Sequence, residues 1–306
     1  MHVITLTGNL LAEWTFSIPA FERGKTHRAV GMSFQVGGKG INVSRILNRL
    51  GSETLALGFA GGELADYCSA WLDQRRISHK FFPLEEGLRP GLVVRETDPE
   101  PAETTFLGTD LPVPAPSWKA ACQFTGQSRP DWLAICGSIP GWNGSWARAI
   151  QQVMDAGIRI AVDTYGAPLA ALVKLPLDLV KINRFELGRL LPGSESASIR
   201  ELIAMAGKAS PVKNWIITDG ARPITAALAS GSAFTVTPAK IREVSPTGSG
   251  DTFLAALLHQ WPGDGDGREA LAFATACATA NAASPGIGDF PLPVPERFTP
   301  EIIPVG

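Results

Sequence analysis

Apolar residues in this chain follow two rhythms. The first is a series of short, nearly continuous runs: "HVITLT", "TLALGFAGG", "DWLAICGS", "IRIAVDT", "LDLVKIN" and "NWIITDG". Each is bounded by Gly, Pro, Asp or Asn, and each has the length of a strand buried on both faces. The second rhythm is helical. In "INVSRILNRLG", Val43, Ile46, Leu47 and Leu50 fall at i, i+3, i+4 and i+7, and Gly51 suits the residue after the helix. "GSWARAIQQVMDAG" and "SASIRELIAMAGKA" read the same way. Strands alternating with helices predict a three-layer α/β fold with a mostly parallel central sheet. Two stretches break the rule. "EWTFSIPAF" alternates Trp14, Phe16 and Ile18 with polar residues, and "GLVVRE" with "AETTFLG" predicts a hairpin around Asp98 to Pro101. Alternation implies one buried and one open face, so these strands form a separate small antiparallel layer, a lid or a contact surface. The Pro-rich tail from Pro285 to Pro304 reads as an extended wrap along the surface.

Composition narrows the functional classes. Apolar residues make up 45% of the 306 and charged residues 18%, enough for a large core. The formal net charge of -2 gives no basic footprint for nucleic acid or an anionic membrane. Any anion must therefore be met by local chemistry. The four cysteines, Cys68, Cys122, Cys136 and Cys277, lie far apart without a CxxC, which argues against a zinc site or a disulfide scaffold. With no basic leader and no long apolar run, the expectation is a cytoplasmic protein.

Three stretches carry candidate chemistry. In "SPTGSGD", Gly248, Ser249, Gly250 and Asp251 precede a helical run with Phe253, Leu254, Leu257, Leu258 and Trp261 on one face. The first amides of a helix lack internal partners, so glycines there can cradle an anion, and Asp251 beside the cradle can serve as a base. A plain glycine turn with an acid complementing the helix dipole accounts for the same residues. In "VGGKGINVSR", the spacing is neither that of a Walker A loop nor of a dinucleotide fingerprint. Gly37, Gly38 and Gly40 permit close backbone approach and Asn42 can bond a sugar hydroxyl; a tight strand-to-helix turn explains them equally. In "KINRFE", Asn183 and Glu186 share a face at a helix start. They suit Mg²⁺ held through water near phosphates, or a capping box.

Taken in order, GGKGINxSR near residue 40, NxxE near 185 and TGSGD near 250 resemble the PfkB (ribokinase-like) carbohydrate kinase family. "GKTHRA", "INVSRILNRLG", "CGSIPGW" and "VDTYG" are similar to "GEVNRA" and its neighbours in the branch of 1-phosphofructokinases and tagatose-6-phosphate kinases. The resemblance spans nearly the whole chain. It implies one ribokinase-like α/β domain over 1–306, with a β lid inserted from roughly 12–36 and 88–112. It implies an ATP- and Mg²⁺-dependent sugar kinase, with a phosphorylated ketohexose favoured as acceptor. Asp251 would be the base, and Gly248, Ser249 and Gly250 the anion hole. Lys181, Asn183, Thr218, Gly220, Asn281 and Ser284 would lie along ATP, with Glu186 organising the metal. Glu13, Arg28, Gly37, Gly38, Lys39, Asn42 and Arg89 would meet the acceptor, with Arg28 and Arg89 holding its phosphate. The branch also implies a homodimer formed through the lid.

The chain departs from the family at three places. Glu13 stands where the branch has Asp, one methylene shorter, so the sugar sits differently or is a different sugar. Pro223 stands where a nucleotide-side loop, here "TDGARP", has Gly, which predicts a rearranged loop. Ser245-Pro246-Thr247 replaces an Asp-Thr or Asn-Thr, which leaves any monovalent-cation dependence open.

Overall fold

A computed structural model describes residues 1–98, 102–194, 197–261 and 266–305. The chain begins with β1 (His2–Thr7), β2 (Leu11–Ile18) and β3 (Gly31–Gly37), then α1 (Lys39–Arg49), β4 (Glu53–Ala60), α2 (Gly62–Gln74) and β5 (His79–Pro83). It continues through β6 (Arg89–Glu96), β7 (Ala102–Leu107), α3 (Ala115–Ser128), β8 (Trp132–Cys136), α4 (Ala147–Asp155), β9 (Arg159–Asp163), α5 (Gly166–Leu172), β10 (Leu179–Asn183) and α6 (Arg184–Leu190). It closes with α7 (Ile199–Ala209), β11 (Trp215–Asp219), β12 (Arg222–Ala227), β13 (Ala233–Thr237), α8 (Ser249–Gln260), α9 (Arg268–Ala282) and β14 (Glu301–Pro304).

The central sheet runs β14-β13-β12-β11-β10-β9-β8-β1-β4-β5. From β5 to β11 neighbouring strands are parallel; from β11 to β14 they are antiparallel. Side chains of successive strand residues go to opposite faces. Ile4 and Leu6 of β1 join Leu133 and Ile135 of β8 on the face covered by Trp118, Ile150 and Leu202 from α3, α4 and α7. Val3, Trp132 and Ala134 join Ile46, Leu257 and Ala274 of α1, α8 and α9 on the other. That double cover explains the unbroken apolar runs. One polar line crosses it: Thr5 Oγ1 meets Ser44 Oγ at 2.8 Å, and Ser44 Oγ meets Thr54 Oγ1 at 2.9 Å. Two small hydroxyl residues thereby bring α1 down onto β1 and β4.

The chain leaves β1 with β4 on one side and β8 on the other. In a doubly wound sheet, ligands bind beyond the carboxyl ends of the strands at such a reversal. The second sheet, β3-β2-β6-β7, stands at this edge. Its outer pairs are antiparallel, as expected. The central pair, β2 with β6, is parallel, because it joins two insertions rather than two arms of one hairpin. From residue 99 to 101 the turn of the predicted β6–β7 hairpin lies outside the described residues. Trp14, Phe16, Phe34, Met32, Leu92 and Phe106 are paired in register and so share one face of this sheet. Trp14 and Phe34 turn toward Tyr67 of α2, while Met32 and Phe106 stay exposed.

The tail differs from the expected surface wrap. Its end, β14, pairs with β13 and extends the central sheet by a strand. Pro223 also has a specific place. The β11–β12 ladder shifts register between Ile217 and Asp219, and Pro223 falls in that shift. A residue without an N–H is tolerated at such a bulge.

Candidate active site

The strand ends and two helix starts converge at the reversal. Helix α8 begins at Gly248, whose φ of 76° is left-handed. A Cβ there would lie 2.6 Å from Ile287, so glycine is required twice over. No side chain caps this helix, leaving its first amides directed at the cleft. Asn281 shapes the approach: its Nδ2 donates to Thr247 O (3.0 Å) and Ser249 Oγ (3.1 Å), and its Oδ1 accepts from the Gly288 amide at 2.7 Å.

Asp251, in the first turn of α8, is only 7% exposed. Its Oδ2 accepts from Asn42 Nδ2 of α1 at 2.7 Å, a bond across 209 positions of sequence. Burial, and then the charge of Asp163, push the Asp251 carboxyl up to about 6, against the pull of Asn42, Lys39 and Lys181. A carboxylate so placed is a better proton acceptor than one in water.

Asp163 ends β9 and is fully buried. Its Oδ1 is 2.7 Å from Lys39 Nζ and its Oδ2 is 2.7 Å from Lys181 Nζ. Burial alone would raise its pKa, but the two ammonium groups outweigh burial and hold it below the usual carboxylate range. Burial likewise pulls Lys39 down, while Asp163 and then Glu186 more than restore it, so the net shift is upward. Gly250 explains its own identity here. A Cβ would come within 2.8 Å of Lys181 Nζ, so the missing side chain admits that ammonium beside the helix start.

Asn183 and Glu186 form a capping box for α6. Asn183 Oδ1 accepts from the Glu186 amide (2.8 Å) and Glu186 Oε2 from the Asn183 amide (2.9 Å). The capping role does not exhaust the carboxylate. Glu186 Oε1 faces Lys39 Nζ at 3.7 Å.

These groups open onto a cavity of about 400 Å³. Lys39, Lys181, Asn183 and residues 248 to 251 form its polar end; Thr218, Gly220 and Ala221 line it; Ile224, Pro238, Ile241, Ala278 and Ala282 form its apolar end. Two predicted nucleotide residues are elsewhere. Asn281 spends its side chain on the loop above, and Ser284 donates to Ala280 O at 2.8 Å; neither lines the cavity.

The acceptor-side candidates gather less tightly. Gly38 and Gly40 abut Thr7 at the end of β1: a Cβ on Gly38 would lie 2.6 Å from Thr7 Cγ2, and one on Gly40 would collide with Thr7 Oγ1. A Cβ on Gly37 would press on Leu11 at 3.2 Å. Close packing on the sheet thus accounts for these glycines. Glu13 bonds Gln35, its cross-strand partner. Arg89 Nη1 donates to Asp110 Oδ1 at 2.8 Å. Arg28 is exposed in the loop between β2 and β3 and does not line the cavity.

Sequence reasoning passed over Asp163, Asp110 and Gln35. Asp163 had a usable signal: an acid closing a fully apolar strand at the carboxyl edge of a parallel sheet. The other two act through contacts between segments distant in sequence.

A buried carboxylate beside an uncapped helix start, two ammonium groups and a cleft on a three-layer α/β scaffold suit phosphoryl transfer. Residues 4–295 match the profile described as pfkB family carbohydrate kinase. The chain belongs to that family and is a sugar kinase. It is 29% identical to the 1-phosphofructokinase of Borreliella burgdorferi over 271 residues, covering 84% of each chain. It is 28% identical to that of Haemophilus influenzae over 281 residues, covering 89% of this chain and 88% of the other. Among solved structures, phosphofructokinase-2 from Escherichia coli in complex with fructose-6-phosphate shares the fold, with a TM-score of 0.82, 20% identity and coverage of 94% and 96%. Among the described residues, no helix is long and apolar enough to cross a membrane.

Proposed function

We propose that this protein transfers the γ-phosphoryl group of ATP to a hydroxyl of a phosphorylated ketohexose, with fructose 1-phosphate the favoured acceptor. The observation that carries this reading is Asp251: buried, bonded by Asn42, and set in the first turn of an uncapped helix at the polar end of the cleft. Asp251 accepts the proton of the attacking hydroxyl. The amides of Gly248, Ser249 and Gly250 stabilise charge on the group in flight. Lys181 and Lys39 neutralise the phosphates, and Asp163 holds both ammonium groups in place. The apolar end between β12 and α9 takes the base, and the polar end takes the phosphates.

No group of three or more His, Cys, Asp or Glu among the described residues could hold a metal ion alone. A magnesium ion would arrive on ATP, with Glu186 Oε1 and Asn183 giving it outer contacts through water. Bound there, magnesium supplies charge neutralisation on the phosphates. A monovalent cation has no assigned role. The preference for a phosphorylated acceptor rests on Arg89 and on the relatives named 1-phosphofructokinase. A second copy of the chain is the proposed partner, seated on the apolar lid face that exposes Met32 and Phe106. The lid over the acceptor limits ATP hydrolysis by excluding water.

The test is ADP release from Mg-ATP with fructose 1-phosphate, fructose 6-phosphate, tagatose 6-phosphate, fructose, ribose or adenosine. Turnover with the phosphorylated ketohexoses, fructose 1-phosphate first, is expected. Turnover confined to the free sugars or adenosine contradicts the acceptor assignment.

A further inference from the structure

We infer that Asp110 sets the affinity of the acceptor-phosphate site: its carboxylate pairs with Arg89 and must give way to any phosphate that binds there. This rests on the reading of Arg89 as the acceptor-phosphate contact. Asp110 follows β7, and its Oδ1 accepts two bonds, from Arg89 Nη1 and from Asn9 Nδ2, each at 2.8 Å. Asn9 Nδ2 also reaches Ser138 Oγ at 3.0 Å, so the contact joins the exit of β1, the start of β6 and the loop after β8. One carboxylate oxygen thus ties the exit of β1 to the start of β6, and Asn9 carries the link on to the loop after β8.

The pair is unequal. The Arg89 side chain is 14% exposed and that of Asp110 is 56% exposed. Arg89 is fixed, and its buried Nε has no hydrogen-bond partner among the described residues. Asp110 sits on the solvent side and can swing away at little cost, as exposed ion pairs contribute little to stability. A phosphate dianion carries more charge than a carboxylate and can take both released donors, Arg89 Nη1 and Asn9 Nδ2. A free phosphate gains only these contacts against Asp110. A sugar phosphate gains them and its hydroxyl contacts as well. The carboxylate therefore lowers the affinity of every phosphate by the same step, so orthophosphate and nucleotide phosphates, which lack the hydroxyl contacts, fill the acceptor site only at correspondingly higher concentration.

The experiment measures inorganic phosphate as an inhibitor competitive with the acceptor, and its direct binding by calorimetry. It compares wild type, Asp110→Asn and Arg89→Ala. The Asn side chain keeps an oxygen for Asn9, so only the charge is lost. Asp110→Asn is expected to tighten phosphate binding about twofold to fivefold, the range of an exposed ion pair. The acceptor KM falls with it, and kcat moves less than KM. Arg89→Ala is expected to remove competition by phosphate. If Arg89→Ala removes it while Asp110→Asn leaves phosphate binding unchanged or weaker, the role of Asp110 is overturned and that of Arg89 stands. If neither variant alters phosphate binding, both assignments fall.

Discussion

Two polar clusters of the molecule are built differently. At the transfer end, Lys39, Asp163, Lys181 and Asp251 come from α1, β9, β10 and α8, and each is fixed by a short bond to a neighbour. Asp163 has little freedom: it is fully buried and two ammonium groups hold its two oxygens. On or beside the small sheet, Glu13 pairs with Gln35 and Arg89 with Asp110, partly in solvent. The chemistry of transfer is the same for any hydroxyl, so its machinery can be rigid and buried. On the proposed reading, the choice of hydroxyl would belong to the side chains beside the small sheet, of which Asp110 is the most open to solvent. Of the three departures expected from the sequence, Glu13 falls in this second cluster, paired with Gln35.

The largest effect that would break this contrast is at the base. Asp251→Asn should lower kcat about 10²- to 10⁴-fold, the usual contribution of a positioned base. The same change should stabilise the fold at alkaline pH. With its pKa raised from 3.8 to about 6, the Asp251 carboxyl favours folding when protonated. That contribution is complete below 3.8 and is lost as pH rises through about 6. Thermal unfolding at pH 8 should show the Asn variant more stable by about 1–3 kcal/mol, shrinking toward pH 5. A variant less stable at both pH values would mean that the carboxylate is structural.

Next in size is Asp163→Asn. It leaves two ammonium groups facing each other without their counter-charge, and breaking a buried pair costs roughly 3–5 kcal/mol. Chemical denaturation should register that loss. Losing the Asp163 charge should also bring the Asp251 pKa down, so any residual activity should persist to lower pH. An unmoved acid limb would separate Asp163 from the base. The smallest effect is on the nucleotide side. Because Pro223 lies in the β11–β12 register shift, Pro223→Gly should change the KM for ATP by less than about threefold. A larger change would show that the proline shapes the cleft.

Much of this was legible from the sequence, and the legible part has a physical pattern. The parallel strands stood out because burial on both faces leaves unbroken apolar runs. The helices α1 and α8 stood out because one face of each is apolar with glycines ahead of it. Strands β12, β13 and β14 were harder: their runs are short, and prolines at 223, 293 and 295 suggested loops and a surface tail. "SPTGSGD" read alone allowed a simple turn, and "KINRFE" allowed a capping box. The capping box is indeed present, with one Glu186 oxygen left over. Asn281 was expected along the nucleotide, but its side chain bonds the loop before α8 and the Gly288 amide. The Asp110–Arg89 contact spans 21 positions and the Asn42–Asp251 contact 209, and no local pattern announces either.

The central claim is that Asp251, held near neutral pKa by burial and by Asp163, takes the proton during transfer. The most direct measurement is the single-turnover rate of ADP formation at saturating Mg-ATP and fructose 1-phosphate, from pH 5 to 8. The base works only when ionised, so the rate should rise about tenfold per pH unit below about 6 and level off above it. Asp251→Asn should abolish that limb. A rate independent of pH over this range, or a limb that survives in Asp251→Asn, would contradict the account.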